Sequence, residues 1–316
     1  MLSSVAAGID GSREGLAAAH WAAQEAVRRG AGLVLVHARP DGPGPAPQSS
    51  PDVPGPAPHT PPHTPPDGGG RTARVLHEAA VSVRAAHPGL EVAAREETGA
   101  PVPVLLAAAG RADVLVLGSL GLGRAARGWG TGSVARQVAG RSPCPVVLVR
   151  AGRCAADEHL PAVDGVAPDE IPETPYRTVV LGLDVTHPCD DVLAFGFEAA
   201  RRRGADLLAV HAVTVPPPGA SAPGAEQGAD PGTDVVAARE GALAAALRPW
   251  CEKYPAVAVT TAVVPGPAGA GLARAAAGAG LLVVGRRTGS GAPGSGAVVP
   301  EVVQHVAAPV AVVPHP

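Results

Sequence analysis

Lysine is almost missing from this chain: 316 residues contain one, Lys253, and there is no asparagine. A P-loop needs a lysine straight after its glycine-rich turn, so that phosphate site is excluded. Aromatic residues make up 2% of the chain: two Phe, two Tyr and three Trp. Platforms for stacking single-stranded bases are therefore not expected, and the core must be built from Ala, Val and Leu. Cysteine is sparse as well. Cys144, Cys154, Cys189 and Cys251 form no C-x-x-C pair, which argues against a structural zinc site or a thioredoxin-type dithiol. Reduced thiols and a cytoplasmic location are expected. The start, MLSSVAAGIDGSREG, has no basic segment before an apolar one and does not read as a signal peptide. The most apolar later stretch, Leu272–Gly285, is 14 residues long and carries Arg274, too short to cross a bilayer. Net charge is −3 and no basic cluster exceeds Arg201-Arg202-Arg203, so neither nucleic acid nor membrane is an expected partner.

What the chain does have is glycine (41) and proline (36) beside 46% hydrophobic residues and a mean hydropathy of +0.17. That is enough apolar surface for a core, and at ~150 residues per domain the length suggests two domains.

An internal repeat supports this division. The segment VAAGIDGSREGLAAAHWAAQEAVRRGAGLVLVHA (5–38) aligns with VVLGLDVTHPCDDVLAFGFEAARRRGADLLAVHA (179–212). Asp10 falls on Asp184 and His37 on His211, both at an offset of 174. Gly99 then falls on Gly266 and Gly118 on Gly285 at an offset of 167, so the second copy has lost seven residues in its middle. SVARQVAGRSPCPVVLV (133–149) finally matches AVVPEVVQHVAAPVAVV (297–313).

Within copy one, short apolar runs at Val5–Ile9, Leu33–His37, Leu90–Arg95, Val114–Leu117 and Val146–Val149 read as strands. Helical patterns separate them at Glu14–Arg29, Thr72–Ala86 and Val102–Ala109. Buried strands alternating with helices imply parallel βαβ units, hence two open α/β sandwiches. The expected layout is domain one at 1–150, a linker at 151–175 and domain two at 176–316. Residues 39–70 and 216–232 are Pro/Gly-rich insertions at equivalent places and are expected to lack structure. The last strands, Val146–Val149 and Val310–Val313, are apolar edges, which proteins cover or pair. Antiparallel pairing of the two inside one chain is expected.

Two elements carry chemistry. Leu115-Val116-Leu117-Gly118-Ser119-Leu120-Gly121 ends a buried strand in glycines, and Gly132-Ser133 opens a helix. Glycines let backbone approach a phosphate, and free N–H groups at a helix start favour anions. A Gly-rich turn with Ser133 as a plain helix cap is the competing reading. Asp10 directly follows the first strand, where open parallel sheets bind ligands; as an alternative it caps the helix starting near Ser12. His37 and His211 end buried strands, where a satisfied histidine is the ordinary outcome. His59 and His63 sit in Pro-rich coil rather than on a helix, so no metal site is expected there.

Val5–Ala38, Gly99-Ala100-Pro101, Ala112–Ser119, Gly132-Ser133-Val134 and Cys144-Pro145-Val146-Val147 together resemble a universal stress protein domain. Copy two is similar but more divergent, so the chain resembles a tandem member of that family. The resemblance implies a five-stranded parallel sheet of order 3-2-1-4-5, a Rossmann-like fold of the adenine-nucleotide-binding type. It further implies an ATP site, with Mg as the nucleotide's companion, marked by G-2x-G-9x-G-[S/T]. Carried over, Asp10 meets the ribose or adenine end, and His37 and Ala38 offer backbone groups to adenine. Gly118, Gly121, Gly132 and Ser133 hold the phosphates, the Val134 N–H adds a donor, and Gly8 and Ser119 complete the set. The chain departs from the motif in one respect: ten residues (122–131), not nine, separate Gly121 from Gly132.

Copy two departs further. Thr288 replaces the second motif glycine, seven residues (289–295) precede Gly296, and Ala297 replaces the hydroxyl. Pro300 stands in the first turns of the following helix. Its phosphate cradle reads as lost and the copy as mainly structural. The expected function is that of an ATP-binding stress sensor or regulator. No general base or cationic clamp stands out beyond Arg124 or Arg127, so ATP hydrolysis is slow at most. The alternative is a scaffold without nucleotide, built on the internal pseudo-dimer; a homodimer is compatible with either.

Overall fold

The computed structural model describes residues 3–39, 68–119, 134–152, 155–160, 174–214, 231–288 and 298–316. The insertions, save their ends, most of the linker and both motif loops lie outside the described residues.

Copy one runs β1 (Ser4–Gly8), α1 (Arg13–Arg29), β2 (Gly32–Arg39), α2 (Gly68–Ala86), β3 (Val92–Thr98), α3 (Pro101–Ala109), β4 (Val114–Ser119), α4 (Val134–Arg141) and β5 (Val146–Arg150). A short 3-10 turn at Ala155–Glu158 follows. Copy two runs β6 (Val179–Gly182), α5 (Asp190–Arg203), β7 (Leu207–Val213), α6 (Pro231–Lys253), β8 (Val259–Pro265), α7 (Ala268–Ala275), β9 (Leu281–Arg287), α8 (Val298–His305) and β10 (Val310–His315).

All strands join one ten-stranded sheet of order β3-β2-β1-β4-β5-β10-β9-β6-β7-β8. Each half has the 3-2-1-4-5 order and is parallel throughout. The halves meet where β5 pairs antiparallel with β10, with Val146 opposite Val312, Val147 opposite Ala311 and Leu148 opposite Val310. The terminal valine strands thus pair as their apolar edges require.

Two hydrophobic layers cover the sheet, and each runs through both halves. One gathers α1, α2, α5 and α6 through residues such as Trp21, Leu76, Phe197 and Leu243. The other gathers α3, α4, α7 and α8 through Leu105, Val138, Leu272 and Val302. The inward face of α1 is Ala18, Ala19, Ala22, Ala23 and Ala26, so a small-residue helix lies close against the strands. Gly30 ends α1 in the left-handed conformation, φ 61°, and its N–H reaches the carbonyls of Ala26 and Val27.

Two differences from the sequence expectation have physical causes. β3 continues to Thr98 because it is an edge strand, and Arg95, Glu96 and Glu97 are exposed or half-exposed charges that an apolar-run reading stops at. α2 starts at Gly68 rather than Thr72; its three leading glycines are poor helix formers, and the buried stripe Leu76, Ala79, Ala80 and Val83 anchors the helix behind them. Pro300 is tolerated as the third residue of α8, where its missing N–H has no intrahelical partner to lose.

Arginines reach across the seam to helix ends. Arg150 donates to the carbonyls of Val303 and Gln304 at the end of α8, at 2.8 and 2.7 Å. Arg286 donates to Ser142 O just past α4, at 2.6 Å. Cations at helix carboxyl ends are favourable, so the two halves cap each other's helices.

Candidate functional site

β1 pairs with both β2 and β4, all parallel, so their carboxyl ends share one edge of the sheet. Between β1 and β4 the chain direction of winding reverses, which is where open α/β sheets bind ligands. Asp10 leaves β1 at this point, beside the β4 end that carries Gly118 and Ser119, with His37 and Ala38 on β2.

Ser12, not Asp10, caps α1; Asp10 holds Ser12 in place and keeps an oxygen for other use. Its Oδ1 accepts from the Ser12 N–H at 2.9 Å and the Ser12 hydroxyl at 2.5 Å. Ser12 Oγ accepts in turn from the Gly15 N–H at 3.0 Å. A Cβ on Gly15 would stand 2.6 Å from Asp10 Oδ1, so glycine is what lets the carboxylate sit there. Ser12 thus serves the Gly15 N–H through its hydroxyl and the Leu16 N–H through its carbonyl. Asp10 is exposed, and its Oδ2 has no hydrogen bond among the described residues.

His37 Nδ1 lies 2.6 Å from Ile9 O. A carbonyl oxygen only accepts, so in the neutral ring Nδ1 carries the hydrogen and Nε2 is an acceptor. The reading of a satisfied histidine is half complete: one ring nitrogen is satisfied.

Gly8 and the one described motif glycine, Gly118, both pack closely against neighbouring elements. A Cβ on Gly8 would meet Leu117 Cδ2 at 2.6 Å and Leu105 Cδ2 at 2.9 Å, so that face of Gly8 is core. A Cβ on Gly118 would meet the Glu14 backbone carbon at 2.6 Å. The glycine thereby lets β4 press against the first turn of α1. Because the obstructing atoms are helix backbone, G118A should cost about 1–3 kcal/mol in urea denaturation. A loss below about 0.5 kcal/mol, the ordinary surface range, would show that α1 can move aside. Ser119 is buried at the end of β4, and Val134 opens α4 half-exposed. Gly121, Gly132, Ser133, Arg124 and Arg127 lie outside the described residues.

The same edge in copy two holds a cavity of about 350 Å³. Sequence reading took this copy as mainly structural and missed the cavity. Its cause is local. The repeat offset places Asp190 on Leu16, yet α5 begins at Asp190 whereas α1 begins at Arg13. Pro188 disfavours helix at His187, and the late start leaves space beside Gly285 that the α1 backbone fills beside Gly118. His315 and Val192 approach Gly285 instead. Asp184 repeats the Asp10 arrangement, with Oδ1 accepting from the Thr186 N–H at 3.0 Å and hydroxyl at 2.6 Å. Burial would raise the Asp184 carboxyl, but the Thr186 and His187 hydrogen bonds hold it below its usual range.

The profile of the Universal stress protein family matches residues 1–150 and 175–314. The chain belongs to the universal stress protein family. As a tandem universal stress protein it has full-length relatives. Universal stress protein Rv2623 of Mycobacterium tuberculosis is 31% identical over 317 residues, covering 96% of this chain and 94% of the relative. Rv2005c of the same organism is 31% identical over 293 residues, covering 92% and 89%. A universal stress protein crystal structure from Archaeoglobus fulgidus shares the fold with a TM-score of 0.61 at 16% identity, covering 98% of each chain. One from Pseudomonas aeruginosa has a TM-score of 0.58 at 13% identity, covering 99% of this chain and 93% of that one. No described helix of this universal stress protein is long and apolar enough to cross a membrane.

Proposed function

We propose that this universal stress protein binds an adenine nucleotide, ATP, in its first copy and acts in the cytoplasm as a nucleotide-responsive stress regulator. The observation that carries the reading is the sheet order, which sets Asp10 beside Gly118 at the winding reversal between β1 and β4. The residues present suit such a ligand. Asp10 Oδ2 can accept from ribose hydroxyls, and His37 and Ala38 border the place for the base. The phosphates are assigned to Gly132, Ser133 and Val134, the last of which opens α4. Among the described residues no group of three or more His, Cys, Asp or Glu could hold a metal, so Mg would ride on the phosphates. We assign the domains to 1–150 and 176–316, with 151–175 as linker.

The second reading, a scaffold without nucleotide, is favoured by the continuous ten-stranded sheet, which makes the pseudo-dimer permanent. Calorimetric titration of the full chain with ATP separates the two. One ATP per chain is expected, weakened about tenfold or more by D10A and by S133A, the scale of one lost charge-assisted hydrogen bond. Absence of binding, or two equivalent sites, would overturn the nucleotide reading.

A further inference from the structure

The ten-stranded sheet ends in two edges, β3 and β8, and they are built differently. β3 carries Arg95, Glu96 and Glu97, with Glu96 paired to Arg39 at 2.8 Å and Glu97 to Arg111 at 3.6 Å. Charges of this kind keep a foreign strand from adding to an edge. β8 reads VTTAVVP and carries no charge. Its Thr260 and Thr261 are exposed, and Val259, Ala262, Val263 and Val264 are half-exposed.

The register with β7 fixes which backbone groups of β8 stay open. The Leu207 N–H donates to Ala258 O at 2.8 Å and the Gly266 N–H to Val213 O at 2.9 Å, and the whole of β8 pairs in step between these bonds. In a parallel ladder alternate residues of a strand bond to the same neighbour, so Thr260, Ala262 and Val264 serve β7. Val259, Thr261 and Val263 turn N–H and C=O outward, and no other described strand pairs with β8. Such a row of donors and acceptors is complementary to its own copy turned about a two-fold axis, because an antiparallel pair exchanges bonds in both directions.

The helix beside the edge fits the same operation. α6 lies against β8 and β7, with Leu243 and Leu247 buried. Glu240, Ala244 and Arg248 are exposed and share one flank, about 60–140° round the helix from Leu243. The right-handed β7–α6–β8 crossover turns that flank towards the open edge. Neither charge has an ion-pair partner among the described residues. Strands lie about 4.8 Å apart, so two copies of α6 over a shared edge stand about 10 Å apart, the spacing of packed helices. With the helices antiparallel and Ala244 at the centre, Glu240 of each copy faces Arg248 of the other.

We propose that the β8 edge, flanked by α6, is the surface on which a second copy of this chain docks, two-fold and antiparallel, β8 against β8. The proposal does not rest on nucleotide binding by copy one.

Sedimentation velocity of the full chain over a range of micromolar concentrations should show a monomer passing to a dimer. T261P removes one outward N–H from each copy, hence two bonds from the pair, at an edge position where proline is tolerated. It should weaken association about tenfold or more. E240R and R248E each set like charges against one another and should weaken it about tenfold. Mixed in equal amounts, the E240R and R248E chains should pair with each other, since both contacts are then of opposite sign. If T261P fails to give a cooperative melt, the two charge variants and their mixture still decide. A native chain that stays monomeric would overturn the proposal. So would a dimer that T261P and both charge variants leave unchanged, or an assembly that grows past the dimer by joining β3 to β8.

Discussion

Replacing Glu25 by alanine should cost the folded chain about 3–5 kcal/mol, the range for removing one partner of a buried ion cluster. Glu25 is 1% exposed on α1 and accepts from Arg29 Nε at 2.6 Å, Arg203 Nη2 at 2.9 Å and Arg28 Nε at 3.3 Å. Glu158, from the 3-10 turn, accepts from Arg28 Nη1 at 3.0 Å and stands 3.8 Å from Arg203 Nε. The guanidiniums of Arg28 and Arg203 also face the Trp21 ring, at 5.9 and 5.6 Å. Without Glu25, three arginines keep one buried carboxylate between them. Burial alone would raise the Glu25 carboxyl, but Arg203, Arg29 and Arg28 hold it far below its ordinary 4.5. With the folded value depressed, its stabilisation is fully present above the ordinary value and fades as pH falls below it. E25A should therefore flatten the acid limb of stability as well as lower the plateau. The double variant E25M/R203M removes charge of both signs and should recover most of the loss. Urea denaturation at pH 7 and pH 4 reads all of this. A single-variant cost under about 1 kcal/mol would place the cluster with ordinary surface pairs.

This cluster also marks where sequence reading stops. Glu25 with Arg28 and Arg29 looks like a solvent-facing i,i+3 and i,i+4 set, the usual meaning of such spacing. Only the antiparallel seam brings α5 beside α1, and with it Arg203, a partner 178 residues away. The layout itself was legible for the opposite reason. Repeated short valine runs state their burial locally, and the repeat exposes the division into two. Asp10 and His37 were singled out by their places at the ends of parallel strands, although the fixed ring tautomer needed the Ile9 carbonyl to be seen. Gly8 and Gly118 were legible as special positions. Their immediate cause, Leu105 and Leu117 in one case and the Glu14 backbone in the other, is tertiary. The copy-two cavity was not legible because the reading of that copy stopped at its altered motif. The signal that could have found it was Pro188, which delays a helix that copy one starts three residues earlier.

Aspartate at both Val147 and Val312 should part the two halves, with a rise of several Å in the radius of gyration from the roughly 20 Å of a compact chain this long. Val147 is fully buried in the layer beneath α1 and α5, opposite Ala311. Val312 is buried in the other layer, opposite Val146, so the two carboxylates enter opposite faces of the same seam. Both positions lie within layers of apolar side chains. An unpaired carboxylate in such a place must stay ionised at high cost or take up a proton. Either way the penalty belongs to the folded seam, and a loss above about 4 kcal/mol is expected. Each half keeps its own parallel sheet of order 3-2-1-4-5, so parting is less costly than global unfolding. The Arg150 and Arg286 bridges to opposite helix ends, and the Glu25–Arg203 pair, resist the separation. For that reason the V147D/V312D variant should open further when E25A is added, and small-angle scattering on the two chains side by side should show the difference. A double variant with the native radius and native urea midpoint would mean that β5 and β10 add nothing to the union of the halves. The helix-end bridges and the ion cluster would then hold the pseudo-dimer by themselves.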